Sequence, residues 1–288
     1  MITVKDGEVL DYVGMTFDFR EQGIVRVTMK HCIDDILDSC GVEGTAVTPA
    51  TDNLFNVRED TPKASAEEAI WFHSFTAKML YVSKRVKPEC LTTVAFLSTR
   101  VQKCDQDDLG KLRRLLKYLR GSRDRGIAIK IGDEIQINVY IDASYGVHMD
   151  SGRSHSGLVV MMGDGPVIVC SSKQKLAVKS STEAELVALS DYASAGIHLK
   201  NFLEGQGYDV GCVIGQDNMS TMALIKRGEP GAMGSRHINI RYFWLKDRIE
   251  AGKVSIVHVP TSEMIANILT KPVQGAQFLH ERDLITNW

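Results

Sequence analysis

The 288 residues suffice for two domains of ordinary size, and 44% hydrophobic with 24% charged residues is the balance of a globular chain that can bury its own core. A formal net charge of −2 excludes a nucleic-acid role carried by overall charge, so any electrostatic footprint has to be local. The six cysteines form no CxxC pair and no Cys/His cluster, which argues against a zinc site or a disulfide framework and suits a reducing compartment. With no apolar run of bilayer length, the expectation is a soluble intracellular protein with no membrane partner.

In chain order, LDYVGMTFDF and GIVRVTM are strand-like pieces joined at Glu21-Gln22-Gly23 and read as a hairpin. A short helix over 31–40 ends at Gly41, and 41–65, with its two prolines and many turn formers, reads as an extended loop. Ser65 and Glu68 have capping-box spacing before a helix from Ala66 to about Val86, and a second helix runs from Leu91 to Arg100. The clearest helix of this half is Asp105–Arg120. Asp105, Asp107 and Asp108 crowd its first turn, Gly121 ends it, and Leu109, Leu112, Leu116 and Leu119 make one apolar stripe. Lys111, Arg113, Arg114, Lys117 and Arg120 cover much of the remainder. Such a face serves equally as a solvated surface or as a track for phosphates that binds by counterion release.

The texture changes near Gly132, where a second domain is expected to begin. EIQINVYIDAS alternates as a long strand. SGLVVMMG and PVIVCSS flank Gly163-Asp164-Gly165 as a hairpin. Ser180 and Glu183 again have capping-box spacing, ahead of a stripe of Leu186, Leu189, Ala193 and Ile197. A strand at Cys212–Gln216, helices from Asn218 and from about Ile238, a strand at Lys253–Val259 and a final helix near Glu263–Leu269 complete the order βββαβααβα, a mixed sheet with helices packed on it. His148 and His155 flank a Ser/Gly-rich turn and read as surface loop residues; His258 reads as a structural strand residue.

Three carboxylates stand where elements begin or end. Asp142 closes the first strand of this domain, Asp217 closes the fourth, and Glu185 lies in the first turns of the capped helix, four residues before Leu189. In this topology the first and fourth strands can be parallel neighbours, so both aspartates emerge at one sheet edge. Three converging carboxylates with no basic partner suit hard divalent cations. A pair of Mg²⁺ ions there, or Mn²⁺, could activate a water and stabilise the leaving oxygen of a phosphodiester. Singly, each residue has an ordinary role as well: a strand-end turn, a helix cap, a half-exposed helix position.

VYIDASYG, SGRSHSG, SSKQKLAVKSSTEAELVALS, QDNMSTMALI, SRHINIRYFWLKDRI and VPTSEMIANILTKP together resemble the RNase H domain of copia-type (Pseudoviridae-like) long-terminal-repeat retrotransposon Pol polyproteins. YVGMTFDF, AVTPATDNLF, WFHSFTAKMLYVSKRVKPE, FLSTRVQ and LRRLLKYLRGS resemble the thumb and connection segments just upstream in the same polyproteins. The resemblance implies a mainly helical thumb/connection remnant with a β-hairpin over 1–132, starting downstream of the polymerase active site because no YxDD-type pair is present. It implies a five-stranded α/β RNase H-like domain over 133–288. Asp142, Glu185 and Asp217 become catalytic metal ligands for two Mg²⁺ (or Mn²⁺) ions. Lys111, Arg113, Arg114, Lys117, Arg120, Asn218 and Arg236 become contacts to an RNA–DNA hybrid. Asn267 stands where the family carries a fourth carboxylate, offering a neutral oxygen in place of a charge.

The function so implied is metal-dependent endoribonuclease cleavage of the RNA strand of a hybrid. The expected partners are the polymerase and integrase parts of a polyprotein, and the expected location is the cytoplasm, in a virus-like particle, or the nucleus. A catalytically weak or silent nucleic-acid-binding module, and a truncated relic of a mobile element, fit the same residues.

Overall fold

The computed structural model describes residues 6–132, 134–227 and 244–288. By internal contacts the chain divides into two compact units, Met1–Ile131 with Pro272–Trp288, and Gly132–Lys271. Among the described residues no helix is long and apolar enough to cross a membrane.

The first unit carries a four-stranded antiparallel sheet in the order β1 (Val9–Tyr12), β2 (Met15–Asp18), β3 (Ile24–Thr28), β4 (Ile127–Lys130). The sequence suggested one hairpin here. LDYVGMTFDF is itself a hairpin, because Val13 and Gly14 take φ of 50° and 74° and fold the run back in two residues. The fourth strand, which the change of texture near Gly132 concealed, pairs Ile127 with Val27 across β3.

The helices are α1 (Lys30–Ser39), α2 (Ala66–Ser83), α3 (Leu91–Arg100) and α4 (Gln106–Gly121). Both capping boxes form, Ser65 with Glu68 and Asp105 with Asp108. The leucine stripe of α4 is fully buried. The buried Arg100 guanidinium lies 2.9 Å from Asp105 and 2.8 Å from Asp108, so one positive charge bridges the two cap carboxylates within the core. Residues 272–288, expected with the second domain, pack on this unit as α8 (Gly275–Thr286). Phe278 meets the Tyr118 ring edge-on at 5.6 Å, and Phe278 and Ile285 are both buried. The tail's apolar side chains find their bed beside α4.

The second unit holds a five-stranded mixed sheet ordered β7-β6-β5-β8-β9. β5 (Ile135–His148), β6 (Arg153–Met162) and β7 (Gly165–Lys173) form an antiparallel meander; β8 (Val210–Gln216) runs parallel to β5, and β9 (Ser255–His258) runs parallel to β8. Alternation along β5 sends Ile137, Val139 and Ile141 into a core with Ala188, Leu189 and Ala193 of α5 (Ser181–Gly205). α6 (Met219–Arg227) and a helix that includes 244–250, α7, follow.

The expected final helix near Glu263–Leu269 is instead two 3₁₀ turns, Thr261–Glu263 and Ile265–Leu269. His258 is exposed and so is not a packed strand residue.

His148 and His155 are buried, where surface loop residues were expected. Their rings stack at 5.2 Å, and the hydrogen bonds fix one neutral arrangement. Ser171 Oγ donates to the Leu269 carbonyl at 2.7 Å, so it accepts from His155 Nε2 at 2.7 Å. His155 Nδ1 then accepts from His148 Nε2 at 2.9 Å. Burial, reinforced by Lys173, pushes His148 down to about 4. Burial, reinforced by His148 and then Lys173, pushes His155 down to about 3.

A histidine held neutral contributes stability in full above its unfolded value near 6.5 and loses it as pH falls from there toward the folded value. Between pH 6.5 and pH 5 the expected loss is about 2 kcal/mol per histidine. Urea unfolding at pH 7 and pH 5, read through amide protection in β6, should show this drop in the wild type and a much shallower one in the His148→Gln, His155→Gln variant. Equal slopes would reject the neutral buried pair.

Candidate functional site

Parallel pairing sets Tyr140 beside Gly215, so Asp142 and Asp217 each stand two residues beyond matched positions on neighbouring strands. Both reach the same sheet edge for that reason. The third carboxylate comes from α5, whose start is fixed by Ser180: its Oγ accepts from the Glu183 amide at 3.2 Å. The Glu183 carboxylate accepts from the Lys179 amide at 2.8 Å and not from Ser180, so the expected capping box is only half made.

Glu185, on the next turn, reaches back to the strand, and its Oε1 accepts from the Ala143 amide at 3.2 Å. Asp142, Glu185 and Asp217 thus bring one ligand atom each to within 4.8 Å of one another. Asp142 and Glu185 are buried and Asp217 is half-buried.

Polar side chains that the sequence reading did not single out hold these carboxylates. Thr270 Oγ1 donates to Asp142 Oδ2. Thr261 Oγ1 donates to Asp217 Oδ2 at 3.0 Å, and Gln216 Nε2 approaches Glu185 Oε2 at 3.4 Å. Gln216 adjoins Asp217, and the two threonines lie inside VPTSEMIANILTKP. Their signal was proximity to a motif, with nothing in spacing to mark their roles.

A basic group is present after all. Lys271 Nζ lies 3.9 Å from Asp142 Oδ2 and donates to Asn267 Oδ1 at 2.8 Å. Asn267 is buried and its Nδ2 donates to the Thr261 carbonyl at 3.0 Å. An ammonium can only donate and a carbonyl can only accept, so the amide orientation is determined. Asn267 therefore ties a lysine to the Thr261 turn, a link an aspartate could not make.

Burial raises the Asp142 carboxyl, with Lys271 and Thr270 opposing. Burial, then the charges of Asp142 and Asp217, push Glu185 well above the usual carboxylate range. Two buried acids that repel each other have two ways to relax: one keeps a proton, or a cation enters. The all-oxygen donor set fits a hard divalent ion such as Mg²⁺ or Mn²⁺.

The other expected contacts distribute differently. Asn218 caps α6, its Oδ1 accepting from the Thr221 amide at 3.0 Å. Arg236 lies outside the described residues. On α4, Lys111 donates to the Asn56 carbonyl at 2.6 Å, Arg114 to Thr48 Oγ1 at 2.8 Å, and Arg120 to the carbonyls of Leu37 and Val42. Three of the five cations thus anchor the helix to neighbouring loops and to the end of α1. Arg113 is exposed above the Trp71 ring, and Lys117 is half-buried.

No protein-family model matches the chain. It is 30% identical over 194 residues to the retrovirus-related Pol polyprotein from transposon RE2 of Arabidopsis thaliana, covering 67% of this chain and 13% of that protein. It is 25% identical over 215 residues to the corresponding polyprotein from transposon TNT 1-94 of Nicotiana tabacum, covering 74% of this chain and 16% of that one. The chain therefore spans less than a fifth of the length of these relatives.

The solved structure of the foamy viral protease-reverse transcriptase in complex with RNA/DNA hybrid matches 93% of this chain and 31% of its own, with a TM-score of 0.52 at 9% identity. The chain is a homologue of retrovirus-related Pol polyproteins from copia-type transposons, and its five-stranded mixed sheet with flanking helices is RNase H-like.

Proposed function

We propose that the Gly132–Lys271 unit is an RNase H domain that hydrolyses the RNA strand of an RNA–DNA hybrid by divalent-cation chemistry at Asp142, Glu185 and Asp217. The observation that carries this reading is the convergence of three carboxylates, two of them buried, from β5, α5 and the end of β8. A bound divalent cation supplies Lewis acidity and a water of lowered pKa. The chain's own residues do the rest of the positioning. Thr270 and Thr261 orient Asp142 and Asp217, and the Ala143 amide fixes Glu185.

In the proposed reaction, water adds to phosphorus, the bond from phosphorus to the 3′ oxygen breaks, and a proton passes to that oxygen. The products are a 3′-hydroxyl and a 5′-phosphate. The test is cleavage of a labelled hybrid by the full chain in Mg²⁺ and Mn²⁺, with single-stranded RNA as the control. Binding of the hybrid without cleavage would favour the silent binding module.

Hybrid contact by α4 belongs to the same proposal. Arg113 and Lys117, whose head groups are not tied to backbone carbonyls in the way those of Lys111 and Arg120 are, are the candidates for phosphate contacts. Replacing both with Gln should reduce the slope of log affinity against log salt by roughly 1.5 to 2. An unchanged slope would leave α4 with a solvated face only.

A further inference from the structure

We propose that Lys271 supplies, through its ammonium, the positive charge that a second divalent cation would otherwise bring, so that this site takes up one divalent ion and not two. The inference rests on the reading of Asp142, Glu185 and Asp217 as cation ligands and specifies how many ions they hold.

Three carboxylates bring three negative charges, and their ligand atoms lie within 4.8 Å of one another. Lys271, 3.9 Å from Asp142 Oδ2, offsets one of them. A single divalent cation offsets the remaining two and leaves the cluster neutral. A second divalent ion would leave a net double positive charge beside the buried Asp142, Glu185 and Asn267, where uncompensated charge is costly.

Geometry holds the lysine in this role. Its Nζ donates to Asn267 Oδ1 at 2.8 Å, and Asn267 is in turn locked by donation from its Nδ2 to the Thr261 carbonyl. The neutral amide is suited to this task, since its carbonyl accepts from the ammonium while its NH₂ satisfies a carbonyl. Thr261 and Thr270 also hold Asp217 and Asp142, so the segment that seats the lysine seats two of the carboxylates as well. The Lys271 side chain is 45% exposed, so its head group is partly hydrated and its replacement leaves the core intact.

The experiment counts Mn²⁺ bound to the full chain by equilibrium dialysis and records its electron paramagnetic resonance. The Asp142→Asn, Glu185→Gln protein sets the background of surface binding. The wild type should bind one ion above that background, with the spectrum of an isolated Mn²⁺. Lys271→Arg, which keeps the charge, should do the same. Lys271→Gln should bind two ions and show the broadened spectrum of a coupled pair, with the first ion held roughly tenfold more tightly for want of a competing cation.

Two ions in the wild type would overturn the inference while leaving the cation-site reading in place, and one ion in Lys271→Gln would do the same. No ion above background in the wild type would remove the cation reading itself, and the inference with it.

Discussion

Replacing Asp142 with asparagine is expected to abolish hybrid cleavage in Mg²⁺ and in Mn²⁺ alike, by at least about a thousandfold, while making the cation-free protein harder to unfold at neutral pH. The two halves follow from one fact. Asp142 is a buried acid beside a second buried acid, Glu185, and a third carboxylate, Asp217. With a cation bound, that convergence is the source of affinity. Without one, it is a cost.

The sign is set by linkage. The Asp142 and Glu185 carboxyls are both raised, first by burial and, for Glu185, next by Asp142. A raised carboxyl means the folded chain holds protons that the unfolded chain has released. Stability is therefore fullest below the unfolded values near 4 and is lost as pH rises through the window toward the folded values. Asparagine removes one charge and relieves the other, and its carbonyl can still accept from Thr270 and face Lys271. Urea unfolding in chelator at pH 4.5 and pH 7.5, with the His148→Gln, His155→Gln protein as the parent so that the opposing histidine titration is removed, should show a smaller fall when Asp142→Asn is added than in that parent. A larger fall in the variant, or cleavage within tenfold of wild type, would defeat the account of this carboxylate.

What the sequence revealed and what it hid divide along physical lines. The alternation of β5 and the leucine stripe of α4 were legible because burial on one face imposes a period. The cap at Ser65 was legible because a helix start leaves amides that only a few side chains can satisfy. The carboxylate triad was legible because parallel pairing carries strand-end residues to one edge.

The histidine pair was not legible. Flanked by Ser and Gly, it looked like loop, and only the tertiary contact to the Leu269 carbonyl through Ser171 explains its burial. Strand β4 and helix α8 were missed because each takes its partner from far along the chain, Val27 for one and Tyr118 for the other. The cations of α4 looked alike in sequence and differ in the fold, since those of Lys111 and Arg120 reach carbonyls that only the loop packing brings near.

A single added methyl at Gly157 should disturb the site as surely as the loss of a ligand. Gly157 lies opposite Asp142 across β5 and β6. A Cβ built there would sit 2.8 Å from Leu269 Cβ, 2.9 Å from the Ala266 carbonyl oxygen and 2.9 Å from Thr270 Cγ2. All three atoms belong to the segment that carries Asn267, Thr270 and Lys271, and none is the free end of a flexible side chain. The segment has to move away from the sheet.

Two effects oppose each other in Gly157→Ala. Alanine reduces the freedom of the unfolded chain, a gain of roughly 0.5–1 kcal/mol, while overpacking costs roughly 1–3 kcal/mol. Overpacking wins, for a net loss of about 1–2 kcal/mol. The larger consequence is functional. Thr270 loses its hold on Asp142, and a displacement near 1 Å at a reacting centre costs on the order of a hundredfold in rate. Gly205→Ala, at the end of α5 with nothing within 4 Å of the new methyl, is the matched control and should leave cleavage unchanged. Hybrid cleavage and urea unfolding of both variants decide the matter. If Gly157→Ala cleaves as fast as Gly205→Ala, the close approach of β6 to this segment does not set the geometry of the carboxylates.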